Sequence, residues 1–205
     1  MYYNEFEFHI LNDEKPSLYF NELLKSGSFP ESYPFSMLSK LASVPQSGKY
    51  HPEGSVWNHT MLVIDEAAKR RSLSKNARAF MWAALLHDLG KAPTTKVRNG
   101  KITSYDHDKI GQELCIKFLS ELTDDADLIK ETSLLVRWHM QILFVLKDMP
   151  FADIDKMAEE VSIDEIALLS LCDRLGRGEM TSEKLRKEEE DVRIFIKKCR
   201  KHLNN

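Results

Sequence analysis

The stretch Ala-Ala-Leu-Leu-His-Asp-Leu-Gly-Lys at residues 83–91 constrains this chain more than any other, because it sets His87 and Asp88 inside one of its most apolar helical segments. An ionised carboxylate buried without a partner is strongly unfavourable, and the remedies are a cation, a salt bridge or a bound metal. A neutral imidazole beside a carboxylate is the mixed nitrogen and oxygen donor set of catalytic divalent metals. Two ligands do not fill a coordination sphere, so other apolar helices must supply more. His59 lies in Val-Trp-Asn-His-Thr-Met-Leu-Val, His139 in Leu-Val-Arg-Trp-His-Met, and Asp173 follows Leu-Leu-Ser-Leu-Cys. His107, in Tyr-Asp-His-Asp, opens a further helix. Each alone reads as a hydrogen-bonded core residue; their recurrence on separate apolar helices is the signal.

The remaining periodicity is helical. Residues 17–26 and 35–44 are short amphipathic stretches; Ser55 is placed to cap a helix to about Arg71, and Ser74 one through Leu89, with Gly90 and Pro93 as its stop. Helical spacing returns at 107–122, 126–146, 151–160, 163–175 and 180–203, and Ser162 with Glu165 matches a capping box. Asn99-Gly100 between Val97 and Ile102 predicts one small β-hairpin near residues 94–105. No internal repeat is visible, so the expectation is an all-α chain forming a single helical bundle.

Composition narrows the function classes. With 29 Lys+Arg against 32 Asp+Glu the net charge is −3, which argues against a dedicated duplex-binding protein. Cys115, Cys172 and Cys199 form no C-x-x-C pair, so neither a disulfide framework nor a thiolate zinc site is expected. Glu5 and Glu7 stand where a signal sequence would be basic and then apolar, and no run approaches a membrane span, so a cytoplasmic protein without membrane contact is expected.

In chain order, His59, His87-Asp88, His107, His139 and Asp173 form an H…HD…H…H…D signature. Here the sequence resembles the HD-domain superfamily of metal-dependent phosphohydrolases. The segments His-Pro-Glu-Gly-Ser-Val-Trp-Asn-His at 51–59, 83–91, Asp-His-Asp-Lys-Ile-Gly at 106–111 and Asp-Arg-Leu-Gly-Arg at 173–177 resemble the HD domain at the carboxyl end of bacterial CCA-adding tRNA nucleotidyltransferases. Ser55 and Asn58 depart from the Asp and Thr usual in that pattern; neither is an expected ligand. No Gly-Ser followed by paired aspartates precedes the region, so nucleotide addition is not expected.

The resemblance implies an HD-type bundle with a core over 51–178, a helical extension over 1–50 and a carboxyl-terminal helix over 179–205 packed on the core. It implies one or two divalent ions, with His59, His87, Asp88 and Asp173 at one and Asp88 bridging to a second held by His107 and His139. Such a pair lowers the pKa of a bridging water and clamps the oxygens of an in-line displacement at phosphorus. A His-rich donor set favours Mn, Fe, Co, Ni or Zn, with Mg admitted where phosphate supplies oxygens. The expected activity is hydrolysis of a phosphoester in a nucleotide, cyclic nucleotide or RNA end; the alternative is a non-catalytic nucleotide-sensing module. Asp88 and Lys91 are the expected catalytic residues, and Lys91, Arg174 and Arg177 the expected substrate contacts. Arg137 is a weaker candidate. Asp108 is read as orienting His107, acting as a base, or favouring the helix amino terminus. The basic cluster 69–71 with Lys75 and Arg78 is read as a charged helix end favoured by the dipole in preference to an RNA contact, and the charged 188–201 stretch as a solvated helix with charge-compensated ends. The oligomeric state is left open.

Overall fold

The apolar helix that carries the His-Asp pair lies at the centre of the molecule. A computed structural model describes residues 2–204 and shows α1 Tyr2–Asn12, α2 Ser17–Lys25, α3 Ser36–Ser39, α4 Val56–Ala68, α5 Ala77–Leu86, α6 Lys91–Thr94, β1 Thr95–Arg98, β2 Lys101–Ser104, α7 His107–Ser120, α8 Ala126–Trp138, α9 Gln141–Leu146, α10 Ile154–Glu160, α11 Ile163–Leu175 and α12 Ser182–Leu203. Every residue of α5 from Ala79 to Leu86 is buried, as expected of a helix apolar all round. It is surrounded by α1, α4, α8 and α11. Burial of side chains such as Phe80, Trp82 and Leu86 contributes about 1.5–3 kcal/mol each. The all-α bundle with one small hairpin holds as expected, and among the described residues no helix is long and apolar enough to cross a membrane.

The hairpin turns through Asn99 and Gly100, both at positive φ (49° and 73°), which closes a two-residue loop between strands paired Thr95↔Ser104 to Arg98↔Lys101. Ser55 caps α4, accepting from the Asn58 amide at 3.2 Å. Several helix boundaries and caps differ from the sequence reading. Asn76, not Ser74, caps α5; the Ser74 hydroxyl instead donates to Glu165 at 2.6 Å. Glu165 also accepts from the Lys75 amide, so it ties α11 to the loop before α5 and the Ser162 capping box does not form. α5 ends at Leu86 rather than Leu89. The single helix expected over 126–146 is two, broken at His139 and Met140, where the Ser170 hydroxyl of α11 takes the His139 carbonyl at 3.2 Å.

The sequence reading expects a helical extension over 1–50 without locating a helix at its start, and α1 docks there. Phe6 and Ile10 enter the core, while Glu7 accepts from Arg78 Nε at 2.7 Å and from the Trp82 indole at 2.9 Å. Arg78 also reaches Asp125, and most of the basic cluster is paired within the molecule: Lys69 and Arg70 meet Glu66, and Arg71 donates to the Asn12 and Asp13 carbonyls. α2 is fastened to α4 by the Ser17 hydroxyl on Asp65 (2.7 Å) and by the Trp57 indole on Asn21 (2.8 Å).

Burial alone would push the Glu7 carboxyl up, but hydrogen bonds from Arg78 and Trp82 outweigh it and hold Glu7 below its ordinary 4.5. A carboxyl depressed on folding stabilises the protein above its unfolded pKa, and that contribution is lost as pH falls through the folded value. Glu7→Gln is therefore expected to lower stability by about 1 kcal/mol at neutral pH, after discounting for solvent screening. The gap to the parent should close below pH ~4. Urea unfolding of both proteins at the two pH values checks this.

Candidate metal centre

Four helices and a turn converge on Asp88. The chain leaves α5 at Leu86, so His87 and Asp88 sit in the turn that follows, buried against α4, α7, α8 and α11. His59 arrives from α4, His107 from the first residue of α7, His139 from the end of α8 and Asp173 from α11. All six are buried, as the sequence pattern requires.

The two oxygens of Asp88 face two different groups. Oδ2 lies 3.3 Å from His87 Nε2 and 3.8 Å from His59 Nε2; Oδ1 lies 3.6 Å from His107 Nε2 and 3.9 Å from His139 Nε2. Donor atoms of His59, His87 and Asp88 lie within 4.8 Å of one another, and those of Asp88, His107 and His139 form a second such group. Asp173 joins the first through His59, its Oδ1 being 3.0 Å from His59 Nε2. The structure therefore brings all six expected ligands together around one carboxylate.

Main-chain and carboxylate acceptors fix which imidazole nitrogen is free. Nδ1 of His87, His107 and His139 faces the carbonyl three residues earlier, of Ala84, Ser104 and Val136, at 2.9, 2.7 and 2.6 Å. A carbonyl only accepts, so each Nδ1 carries the proton and each Nε2 presents a lone pair to the cluster. For His59 the acceptors are Glu53 Oε1 at 3.0 Å and the Gly176 carbonyl at 3.2 Å. Glu53 also accepts from His51 Nδ1 at 2.8 Å, so a His51, Glu53, His59 chain leads from the rim to the cluster. This carboxylate was not singled out in the sequence; its signal was the third position of His51-Pro-Glu. Asn58, one of the two departures from the family pattern, holds the Glu53 carbonyl at 2.9 Å.

Electrostatics follow the same division. Burial pushes Asp88 up, but His87 and Lys91 beside it hold its carboxyl well below the ordinary range. Asp173 is likewise raised by burial and lowered further by Arg177 and His59. Burial takes His139 down to about 3, with His107 and His87 adding to the shift, and burial also lowers His107. For His59 burial lowers the pKa, but Asp173 and Glu53 on either side outweigh it and raise it, so the carboxylates there draw positive charge.

These residues fit divalent cations. His87 Nε2 is buried without a hydrogen-bond partner, and His107 and His139 set two Nε2 lone pairs 3.2 Å apart. The separations among donors exceed hydrogen bonds, yet two ligands on one ion at ordinary bond lengths stand about 3.0–3.4 Å apart. Lys91 Nζ lies 2.7 Å from Asp88 Oδ2 and donates to Gln46 Oε1 at 2.7 Å, the one cation directly beside Asp88.

The flanking arginines part company. Arg177 pairs with Asp173 Oδ2 at 2.7 Å and stays at the cluster. Arg174, expected at the substrate, turns away: both of its contacts go to Glu188 and Asp191 of α12, because the acidic run there outcompetes solvent. Arg137 bonds the buried Asp108 at 2.6 Å and lies over the Trp138 ring at 4.3 Å, which ties α7 to α8 behind His107 and His139.

With this geometry in place, the comparison with known sequences is direct. The model of the HD domain matches residues 56–178, and the chain belongs to the HD domain family, whose members are generally metal-dependent hydrolases. It is 32% identical over 179 residues to the Multifunctional CCA protein of Mannheimia succiniciproducens, covering 82% of this chain and 41% of that one. The Multifunctional CCA protein of Dechloromonas aromatica is 44% identical over 84 residues, 41% of this chain and 19% of its own. That of Actinobacillus pleuropneumoniae serotype 5b is 39% identical over 83 residues, 40% of this chain and 20% of its own. The chain thus spans less than half the length of these curated relatives.

Close backbone approach holds the centre. Gly90 is not a left-handed stop; its φ is −63°, and a Cβ there would lie 1.9 Å from the His107 carbonyl oxygen and 2.6 Å from the Gly111 amide nitrogen. Gly90→Ala is expected to destabilise the fold by about 3 kcal/mol, since the obstacle is main chain. Gly48→Ala, which meets nothing within 4 Å, should leave stability nearly unchanged. Thermal unfolding of the two variants is the check.

Proposed function

We propose that this chain is a phosphohydrolase that uses two divalent cations, one held by His59, His87, Asp88 and Asp173 and the other by Asp88, His107 and His139. The substrate is a phosphoester of a nucleotide, a cyclic nucleotide or an RNA end. The observation that carries the reading is the division of Asp88, whose two oxygens face two separate sets of imidazoles. A purely structural carboxylate has no need to be flanked on both sides by bare Nε2 atoms.

Bound cations of this kind supply Lewis acidity toward phosphoryl oxygen and make water ionisable near neutral pH. The side chains do the rest. Glu53 and the carbonyls of Ala84, Ser104 and Val136 keep each ring proton on Nδ1, so that the facing nitrogens stay basic and correctly aimed. Lys91, whose ammonium lies 2.7 Å from Asp88 Oδ2 and from Gln46 Oε1, would supply a mobile point charge for a non-bridging phosphoryl oxygen beside bound cations. Arg177 holds Asp173 in register and keeps a buried Nε with no partner, a donor available at the rim. The centre itself is buried, with His59, His87, Asp88 and His139 each at most 2% exposed, which strengthens every charge interaction in it.

Purified protein is expected to retain up to two equivalents of Mn, Fe, Co, Ni or Zn by elemental analysis. Asp88→Ala should lose both the metal and phosphate release from a nucleotide panel while keeping its helical circular dichroism. A folded Asp88→Ala protein with unchanged turnover overturns the site. Nucleotide binding without any phosphate release, across a series of metals, would favour the sensing module instead.

Glu53→Gln tests the ligand-orienting chain separately. Loss of the carboxylate behind His59 is expected to weaken metal affinity about 10- to 100-fold, measured by competition with a chelator, with the fold intact. Equal affinity in the two proteins would show that the Gly176 carbonyl suffices to orient His59.

A further inference from the structure

We propose that the hairpin of β1 and β2 is a backbone-gripping arm for single-stranded nucleic acid, so that the substrate is the end of a strand rather than a free nucleotide; this rests on the phosphohydrolase reading above. The antiparallel register puts Lys96 opposite Thr103 and Arg98 opposite Lys101. Residues two apart share a face, so Lys96, Arg98, Lys101 and Thr103 line one face and Thr95, Val97, Ile102 and Ser104 the other. Arg98 and Lys101 are therefore like charges set directly across from each other, a destabilising pair in a ribbon that is marginal by itself.

Among the described residues no carboxylate lies within salt-bridge distance of Lys96, Arg98 or Lys101, and the segment 91–105 contains no acid at all. The other basic clusters hold carboxylate pairs among their members, Lys69, Arg70 and Arg78 in one and Lys198 and Arg200 in another, whereas the three cations of the hairpin have none. A same-sign surface retained in a chain of net charge −3 calls for an external anion.

Both ends of the ribbon are rooted in the metal centre. α6, which begins with Lys91, leads into β1, and the Ser104 carbonyl that ends β2 accepts from His107 Nδ1. Exposed aromatic rings lie next to ligand-bearing segments: Tyr105, two residues before His107, is 78% exposed, and Tyr50, beside His51, is 61% exposed. Cations that follow a backbone, together with open rings on which bases stack, are the means by which proteins hold single strands without reading sequence. An acidic protein would use the charges and leave the rings unexplained.

The test uses the metal-loaded full chain and a short fluorescent single-stranded RNA ending in a 2′,3′-cyclic phosphate, with the matching mononucleotide as the small substrate. Binding is followed by anisotropy over a salt series and hydrolysis by phosphate-ester turnover. Lys96→Ser/Arg98→Ser/Lys101→Ser is expected to reduce the slope of log affinity against log salt by about 2, in proportion to three lost contacts. Its turnover of the mononucleotide should stay that of the parent, while KM for the RNA rises at least about tenfold. Tyr105→Ala should weaken RNA binding about tenfold at constant slope. If the parent binds RNA no more tightly than the mononucleotide, or the triple variant binds it equally well, the arm is refuted although hydrolysis stands. Competition by polyglutamate as effective as that by RNA also refutes it, in favour of an acidic protein partner. If RNA binds with the expected slope change but neither substrate is turned over, the arm survives and the phosphohydrolase reading fails.

Discussion

The structure depends on a carboxylate placed where a carboxylate is least tolerated. Asp88 is buried to its last oxygen, and one ammonium, that of Lys91, stands beside it. A single charge-assisted contact does not offset the desolvation of an ion in a dry interior, and the cost of an uncompensated one is several kcal/mol. The rest of the centre is arranged as compensation in waiting: the imidazoles of His87, His107 and His139 turn unprotonated nitrogens toward Asp88, each with its other nitrogen committed to a main-chain carbonyl. Those nitrogens offer no proton to the carboxylate. They and the carboxylate want the same thing, a cation between them.

Holding five helices close enough to share one ion pair requires that backbones nearly touch. At Gly90 the main chain lies against the start of α7, and at Gly176 a Cβ would come within 2.6 Å of Val63 Cγ2, where α11 meets α4. These contacts set the spacing of His107 to Asp88 and of Asp173 to His59. The amino-terminal helices serve the same end from outside, since Asn21 and Asp65 fasten α2 to the helix that bears His59, and Glu7 fastens α1 to the helix that leads to Asp88.

The residues that the sequence made legible are those whose chemistry conflicts with their surroundings. A His, an Asp or a Gly in an apolar helix breaks a local rule, and such breaks concentrate at functional sites. The six residues gathered at the candidate centre were readable on that basis, while the Asn99-Gly100 turn and most helices were readable from turn chemistry and periodicity. What was not readable are interactions chosen by competition across the fold. Ser162 and Glu165 have the spacing of a capping box, yet Glu165 bonds Ser74 and the Lys75 amide because the loop before α5 offers two donors at once. Arg174 has the spacing of a substrate contact, yet two carboxylates of α12 claim it. The 126–146 helix is broken because Ser170 captures a carbonyl at His139. In each case the partner lies far along the chain, where periodicity carries no information.

Glu53 illustrates the intermediate case. Its position in His51-Pro-Glu is visible, but nothing local says that its side chain turns inward to His59 rather than outward to water. Burial pushes its carboxyl up, and hydrogen bonds from His51 and His59 take it down to about 2, so it remains an anion next to the centre. An anion behind a ligating imidazole makes that imidazole a better donor, and among the four histidines only His59 has one; the other three rest on neutral carbonyls. The two halves of the centre are therefore electronically unequal. The half with His59 and Asp173 is the richer in negative charge, while the half with His107 and His139 has only the shared Asp88. The poorer half is also the one that adjoins the hairpin, through the Ser104 carbonyl on His107.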